Sequence, residues 1–162
     1  MDDLIFVTTG TQFPFDRLLN TVDKWAETAK NVKVVAQVAK TNSNFANMET
    51  HTFLSPKEYE KLVSEATLII GHAGMGTIIT GFEQRKPLVL MARKYSLQEH
   101  RNDHQQSTTD KFTGVEGVYV ADNEQELTDL LGCYKSLKPA VGEKIENRRK
   151  LINFISNEIA ML

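Results

Sequence analysis

The chain has 162 residues, 41% of them hydrophobic and 25% charged, with a formal net charge of -2. This balance suits one globular domain over residues 1–162, and it gives no broad attraction for nucleic acid, which needs a basic surface. No stretch approaches the roughly 20 apolar residues of a membrane span, and the acidic start Met1-Asp2-Asp3 is unlike a signal peptide.

The single Cys133 excludes an intrachain disulfide and fits a cytoplasmic protein; its apolar neighbours make it an expected core residue. Leu4 to Val7 is an apolar run that predicts a first strand, closed by Thr8-Thr9-Gly10-Thr11-Gln12. Pro14 suits the first turn of a helix. Phe15, Leu18, Leu19, Val22, Trp25, Ala26 and Ala29 carry that helix to about Lys30 at three- and four-residue spacing. Val32 to Ala39 predicts strand two, and Asn47 to Leu54 holds a short strand three.

Ser55-Pro56-Lys57-Glu58 is a helix start, with Ser55 as cap and Glu58 three residues later. That helix turns Tyr59, Leu62, Val63 and Ala66 inward. Thr67 to Ile70 is the fourth strand, and a glycine turn then opens a helix from about Gly74 to Gln84. Leu88 to Met91 forms strand five, Glu99 to Phe112 a polar helix, and Gly117 to Val120 strand six. Asp122 or Asn123 caps a helix running to about Leu137. A last helix, Glu143 to about Met161, carries an apolar stripe from Ile145 to Ile159.

Strands alternating with helices at this spacing predict an α/β fold: a doubly wound, Rossmann-like parallel sheet of about six strands with helices on both faces. The expected sheet order is 3-2-1-4-5-6, which puts strands one and four side by side at the switch point. Both Gly/Thr turns then end at one crevice. Thr9-Gly10-Thr11 follows strand one, and Gly74-Met75-Gly76-Thr77 follows strand four.

Gly74 and Gly76 let backbone approach an anion at a helix N-terminus, and Thr77 adds a hydroxyl. The same glycines equally suit a plain tight turn. No Walker-type G-x-x-x-x-G-K-[ST] run is present, and no G-x-G-x-x-G follows strand one. His72 either faces a phosphate, where it is the one candidate catalytic group, or is a satisfied buried histidine. Met75 packs on a planar ligand group or on the core. Glu83 reaches a ribose or pairs with Lys86. Asn102, Gln105 and Gln106 share one face of the expected polar helix, and side-chain amides there suit several sugar hydroxyls. His100 and His104 lack the partners of a zinc site, and no Asp-x-Asp cluster exists, so neither a metal nor another cofactor is expected.

Three stretches, Val7 to Phe15, Gly71 to Thr77 and Asn102 to Gln106, resemble the C-terminal, nucleotide-sugar-binding half of GT-B glycosyltransferases of the family-28 type. The similarity is strongest to small, separately encoded subunits of two-component enzymes. These include the catalytic subunit of the dolichol-linked UDP-GlcNAc transferase and bacterial exopolysaccharide and capsule glycosyltransferase subunits. The resemblance implies a diphosphate held by Gly10, Thr11, His72, Gly74, Met75, Gly76 and Thr77. It implies donor-sugar contacts from Gln105 and Gln106, beside Asn102. Where relatives carry a ribose-binding Glu, this chain has Thr80, with Glu83 one turn further on.

It also implies a half-enzyme. The chain would transfer a hexose from a UDP-sugar, with inversion, to a lipid-linked saccharide acceptor in polysaccharide biosynthesis. A membrane-anchored partner like a GT-B N-terminal half would supply the acceptor side and the catalytic base, and hold the chain at the inner membrane face. The helix 143–161 is a candidate surface for that partner or for a second copy, or else packs on its own sheet. A non-catalytic, partner-stabilising subunit and a dinucleotide oxidoreductase are the competing readings.

Overall fold

In a computed structural model the chain is described over residues 2–141, with Asn153 alone beyond them. The helix expected at 143–161 therefore lies outside the described residues. Six strands form one parallel sheet: β1 (Asp3–Thr8), β2 (Val32–Gln37), β3 (Glu49–His51), β4 (Leu68–His72), β5 (Leu88–Met91) and β6 (Val118–Ala121). Their order is β3-β2-β1-β4-β5-β6, as the strand and helix spacing predicts. Every pair is parallel, with Ile5 opposite Leu68 and Thr8 opposite Gly71 across the switch point.

Side chains alternate across this sheet, so each strand feeds two cores. On one face Ile5, Val7, Ile70, Val89 and Met91 pack with Leu18, Leu19 and Val22 of α1 (Asp16–Ala26) and Leu127 and Leu131 of α5 (Glu124–Gly132). On the other, Phe6, Ile69, Leu88 and Leu90 meet Val63 of α2 (Pro56–Glu65), Ile78 of α3 (Met75–Glu83) and Phe112 of α4 (His104–Phe112). The central strands β1, β4 and β5 are almost wholly buried, which is why their sequences read as continuous apolar runs.

Helix boundaries shift where polar side chains take over backbone bonds. The Ser55–Glu58 capping box forms in full and starts α2 where expected. Helix α1 stops at Ala26 rather than near Lys30. The Thr28 hydroxyl donates to the Trp25 carbonyl, and Asn31 adopts a left-handed φ of 57° to turn the chain into β2. Asn123, not Asp122, caps α5, and that helix ends at Gly132 before a short 3-10 turn over Tyr134–Ser136. Cys133 follows this helix end and is exposed, so it is not a core residue.

The larger change is at the polar helix expected from Glu99. Residues 99–103 are irregular, and α4 begins only at His104. The Asn102 Oδ1 accepts the His104 N–H, Asp103 Oδ1 accepts the Tyr95 N–H, and Glu99 Oε2 accepts the Lys94 N–H. Short polar side chains that bond nearby backbone in this way compete with helix formation. Asn102 thus precedes the helix and does not share a helical face with Gln105 and Gln106. Among the described residues no helix is long and apolar enough to cross a membrane.

Candidate functional site

The C-terminal ends of β1, β4 and β5 open on a cleft of about 390 Å³. It gathers Gly10, Thr11, His72, Gly74, Met75, Gly76, Thr77 and Gln105 of the expected site residues, and adds Gln37, Tyr59, Arg93 and His100. Asn102, Gln106, Thr80 and Glu83 are not among its lining residues.

The floor is built around one imidazole. A β-carbon added to Gly74 would come 2.1 Å from His72 Nε2, and one added to Gly10 would come 2.9 Å from His72 Cε1. The ring is therefore seated between two glycines, one from each turn, and only glycine leaves that space. Gly10 also has a φ of 78°, which other residues adopt at a cost. His72 Nδ1 lies 3.5 Å from the Thr8 carbonyl. A carbonyl only accepts, so this contact favours a proton on Nδ1 and a lone pair on Nε2. Burial, helped by the positive charge of Arg93, pushes the His72 pKa down to about 4. At neutral pH the ring is uncharged.

Helix α3 begins directly at this floor. Its N-cap is Gly74, which has no side chain to bond the first turn, whereas Ser55 and Asn123 cap α2 and α5. The N–H groups of Met75, Gly76 and Thr77 lie in that first turn, where no intrahelical acceptor exists. Space beside Gly76 is open, with nothing within 4 Å of an added β-carbon. The helix end thus presents bare donors and a positive dipole end to the cleft. Gly71 leaves room for the Thr77 methyl, which packs back against β4.

The β1 turn is held from two sides. The Thr9 N–H and hydroxyl both donate to the Gln37 carbonyl, at 3.1 and 3.3 Å. Gln37 Nε2 donates to the Gly10 carbonyl at 3.4 Å, while its Oε1 accepts the Leu54 N–H at 3.0 Å. From the segment just after β5, Arg93 donates to the carbonyls of Thr9, Phe13 and Pro14. Burial lowers its pKa to about 10, still high enough to keep it charged at neutral pH. Gln105 is buried because its Oε1 accepts the Arg93 N–H at 3.0 Å. One end of that amide is thus committed to the fold. At the mouth, the rings of Phe13 and His100 meet edge to face at 5.2 Å, and His100 Nδ1 lies 3.1 Å from Asn102 Oδ1.

The expected residues outside the cleft have other partners. Gln106 Nε2 donates to Asp110 at 3.2 Å, and the Thr80 hydroxyl donates back to the Gly76 carbonyl at 2.8 Å. Glu83 is exposed at the far end of α3. Among the described residues no group of three or more His, Cys, Asp or Glu could hold a metal ion. The sequence reading missed Arg93 and Gln37. Each stands at the C-terminal end of an apolar strand run, and a polar residue at that position beside the switch point was the available signal.

No curated protein sequence matches the chain. Its fold is similar to the solution structure of ALG13, with 21% identity, a TM-score of 0.61, and coverage of 85% of this chain and 89% of that one. It is similar as well to the glycotransferase of kitacinnamycin (16% identity, TM-score 0.64), covering 83% of this chain but 35% of that one. The C-terminal CMP-Kdo binding domain of WaaA from Acinetobacter baumannii shares 10% identity at a TM-score of 0.53, with 82% and 80% covered. The chain therefore spans about a third of one full glycosyltransferase and most of a separate small domain. Residues 4–148 match the glycosyltransferase family 28 C-terminal domain, and the chain belongs to that family.

Proposed function

We propose that this chain is the donor-binding half of a UDP-sugar glycosyltransferase. It transfers a hexose to a lipid-linked saccharide in polysaccharide biosynthesis, and works with a membrane-anchored partner that brings it to the cytoplasmic face of the membrane. The observation that carries the reading is the uncapped N-terminus of α3, open to a cleft floored by Gly10, His72 and Gly74. Bare first-turn donors in a recess suit a diphosphate, and the family supplies the class of ligand.

In this reading the diphosphate lies on the N–H groups of Met75, Gly76 and Thr77, against the Gly10-Thr11 turn and His72. The free amide end of Gln105 meets the donor sugar. The ribose contact rests on Glu83 or on a Thr80 hydroxyl freed from Gly76, and further sugar contacts on Gln106 and Asn102 after a rearrangement of their bonds. An acceptor hydroxyl oxygen attacks the anomeric carbon as the carbon–oxygen bond to UDP breaks, and UDP leaves with the electron pair. Attack opposite the leaving group inverts that carbon, and the hydroxyl proton passes to a base on the partner. Negative charge grows on the departing diphosphate, where aligned N–H groups and the helix dipole stabilise it without a metal ion or other cofactor.

Calorimetric titration of the purified chain with UDP, UDP-glucose, UDP-galactose and UDP-GlcNAc tests the donor site. Saturable heat with UDP and at least one sugar nucleotide is expected. Silence with all four, with or without partner, would sink the assignment. Transfer by the reconstituted pair that survives Gly74→Ala and His72→Ala would instead mark the chain as a non-catalytic subunit.

A further inference from the structure

Arg93 is 2% exposed, yet it lines the cleft. Its Nε donates to Pro14 at 3.3 Å, and its Nη2 donates to Thr9 and Phe13, both at 2.6 Å. Its guanidinium carbon lies 5.0 Å from the centre of the Phe15 ring. Those bonds use three of the five N–H groups of a guanidinium and leave the two on Nη1. No described side chain has a buried polar atom without a partner, so Nη1 is the part that reaches open space.

The charge is the unexplained part. Three carbonyls satisfy N–H groups but do not neutralise a cation, and a buried unpaired charge is costly. No carboxylate among the described residues forms an ion pair with Arg93. The Glu99 carboxylate acts on it through space, but the two oxygens of Glu99 are held by Arg17 at 2.7 and 2.9 Å. Pinning a loop to a strand needs donors, and neutral side chains have them. A full positive charge walled into a cleft, with no counter-ion among the described residues, calls for an anion supplied by the ligand.

We propose that Arg93 is a ligand-binding residue whose Nη1 takes an oxyanion of the donor, either a diphosphate oxygen or a carboxylate on an acidic donor sugar. The inference rests on the donor reading above. Arginine suits the task because its planar fork binds oxyanions while its other N–H groups stay on the loop. The position is also apt. The Arg93 backbone is held by Gln105, and its charge acts on His72, so it stands between the sugar and diphosphate ends of the cleft.

The test compares uridine, UDP, UDP-glucose and UDP-glucuronate on the full wild-type chain and on Arg93→Gln and Arg93→Lys, with affinities from calorimetry and ligand-observed NMR. Arg93→Gln should weaken the anionic ligand by roughly 10- to 100-fold while uridine binding holds, and Arg93→Lys should fall between. An equal loss for UDP and both sugar nucleotides assigns the diphosphate. A loss confined to UDP-glucuronate, with wild type preferring that ligand, assigns a sugar carboxylate. Equal losses for uridine and UDP, or no losses, would overturn the inference and leave Arg93 as a loop fastener. If wild type binds none of the four, the donor reading falls and this inference with it. Should Arg93→Gln not fold, the 15N-arginine spectrum of wild type decides: UDP or UDP-glucuronate must shift the guanidinium signal that Arg93→Lys removes, and an unmoved signal is a refutation.

Discussion

Gly74 and Gly76 stand two residues apart in one turn, but their surroundings make opposite predictions. A β-carbon on Gly74 would press on His72 at 2.1 Å, so Gly74→Ala must push the imidazole out of its seat. A β-carbon on Gly76 meets nothing, and alanine is the better helix residue there by about 0.5–1 kcal/mol. Thermal melting should therefore show Gly74→Ala destabilised and Gly76→Ala unchanged or slightly more stable. UDP binding should fall at least 10-fold in Gly74→Ala. A smaller loss in Gly76→Ala would place the ligand against that open backbone. His72 gives a pH prediction. Its folded pKa of about 4 lies below the ordinary 6.5, so the unfolded chain binds the proton more tightly. The contribution is full above pH 6.5 and is lost as pH falls toward 4, on the order of 2–3 kcal/mol across that window. Arg93 and His100 both depress this value and the Thr8 carbonyl raises it. Denaturant melts of wild type and His72→Gln at pH 7 and pH 5 should converge at the lower pH. Parallel curves would show that His72 does not titrate there.

At the scale of elements, the sequence carried the sheet well because its signals were strong and redundant. Leu68 to Ile70 and Leu88 to Met91 are apolar runs that only doubly covered strands explain, and Ser55 with Glu58 announced α2. Both turns of the site were legible for the same reason, since strand order alone brings Gly10 and Gly74 together. The segment after β5 was not legible. Its polar residues look helical by spacing, but their side chains bond backbone and one another over long sequence distances. Glu99 holds Arg17 across 82 residues of chain, and Arg93 reaches carbonyls 79 to 84 residues away. Periodicity within one segment carries no information about such partners. The Arg17–Glu99 fork is half-hidden and bidentate, and Glu99 also accepts the Lys94 N–H, so it fixes this loop beside the cleft. Glu99→Ala should cost about 1–3 kcal/mol in a denaturant melt. It should also speed amide hydrogen exchange over residues 94–103 and leave α2 and β6 protected. Unchanged exchange in the loop would assign its order to other contacts.

For the whole molecule, the decisive fact is where the cleft opens. It lies at the C-terminal edge of one sheet, and its described lining comes from the ends of β1, β2 and β4, the segment after β5 and the first turns of α2, α3 and α4, so in the donor reading all of it faces one side of the donor. Inverting transfer needs the acceptor hydroxyl to approach from the opposite side, with a base to take its proton. Within the lining, His72 is neutral but seated at the floor between two glycines; in the donor reading the diphosphate covers it and an incoming hydroxyl does not reach it. The donor reading therefore predicts a separation of binding from turnover. Alone, the chain should bind UDP-sugar without transferring it. Added to membranes that contain the partner and its lipid-linked acceptor, it should restore transfer from a radiolabelled UDP-sugar. Gly74→Ala should reduce that restored rate by at least 10-fold, in proportion to its loss of donor affinity at subsaturating donor, because in this reading α3 supplies the leaving-group site in either setting. Transfer by the purified chain alone, to a water-soluble acceptor and at the rate of the pair, would contradict the division of labour and return the base to this chain. Of the lining residues, His100 would then be the first to substitute, since it stands at the mouth of the cleft with its ring set by Asn102 and Phe13.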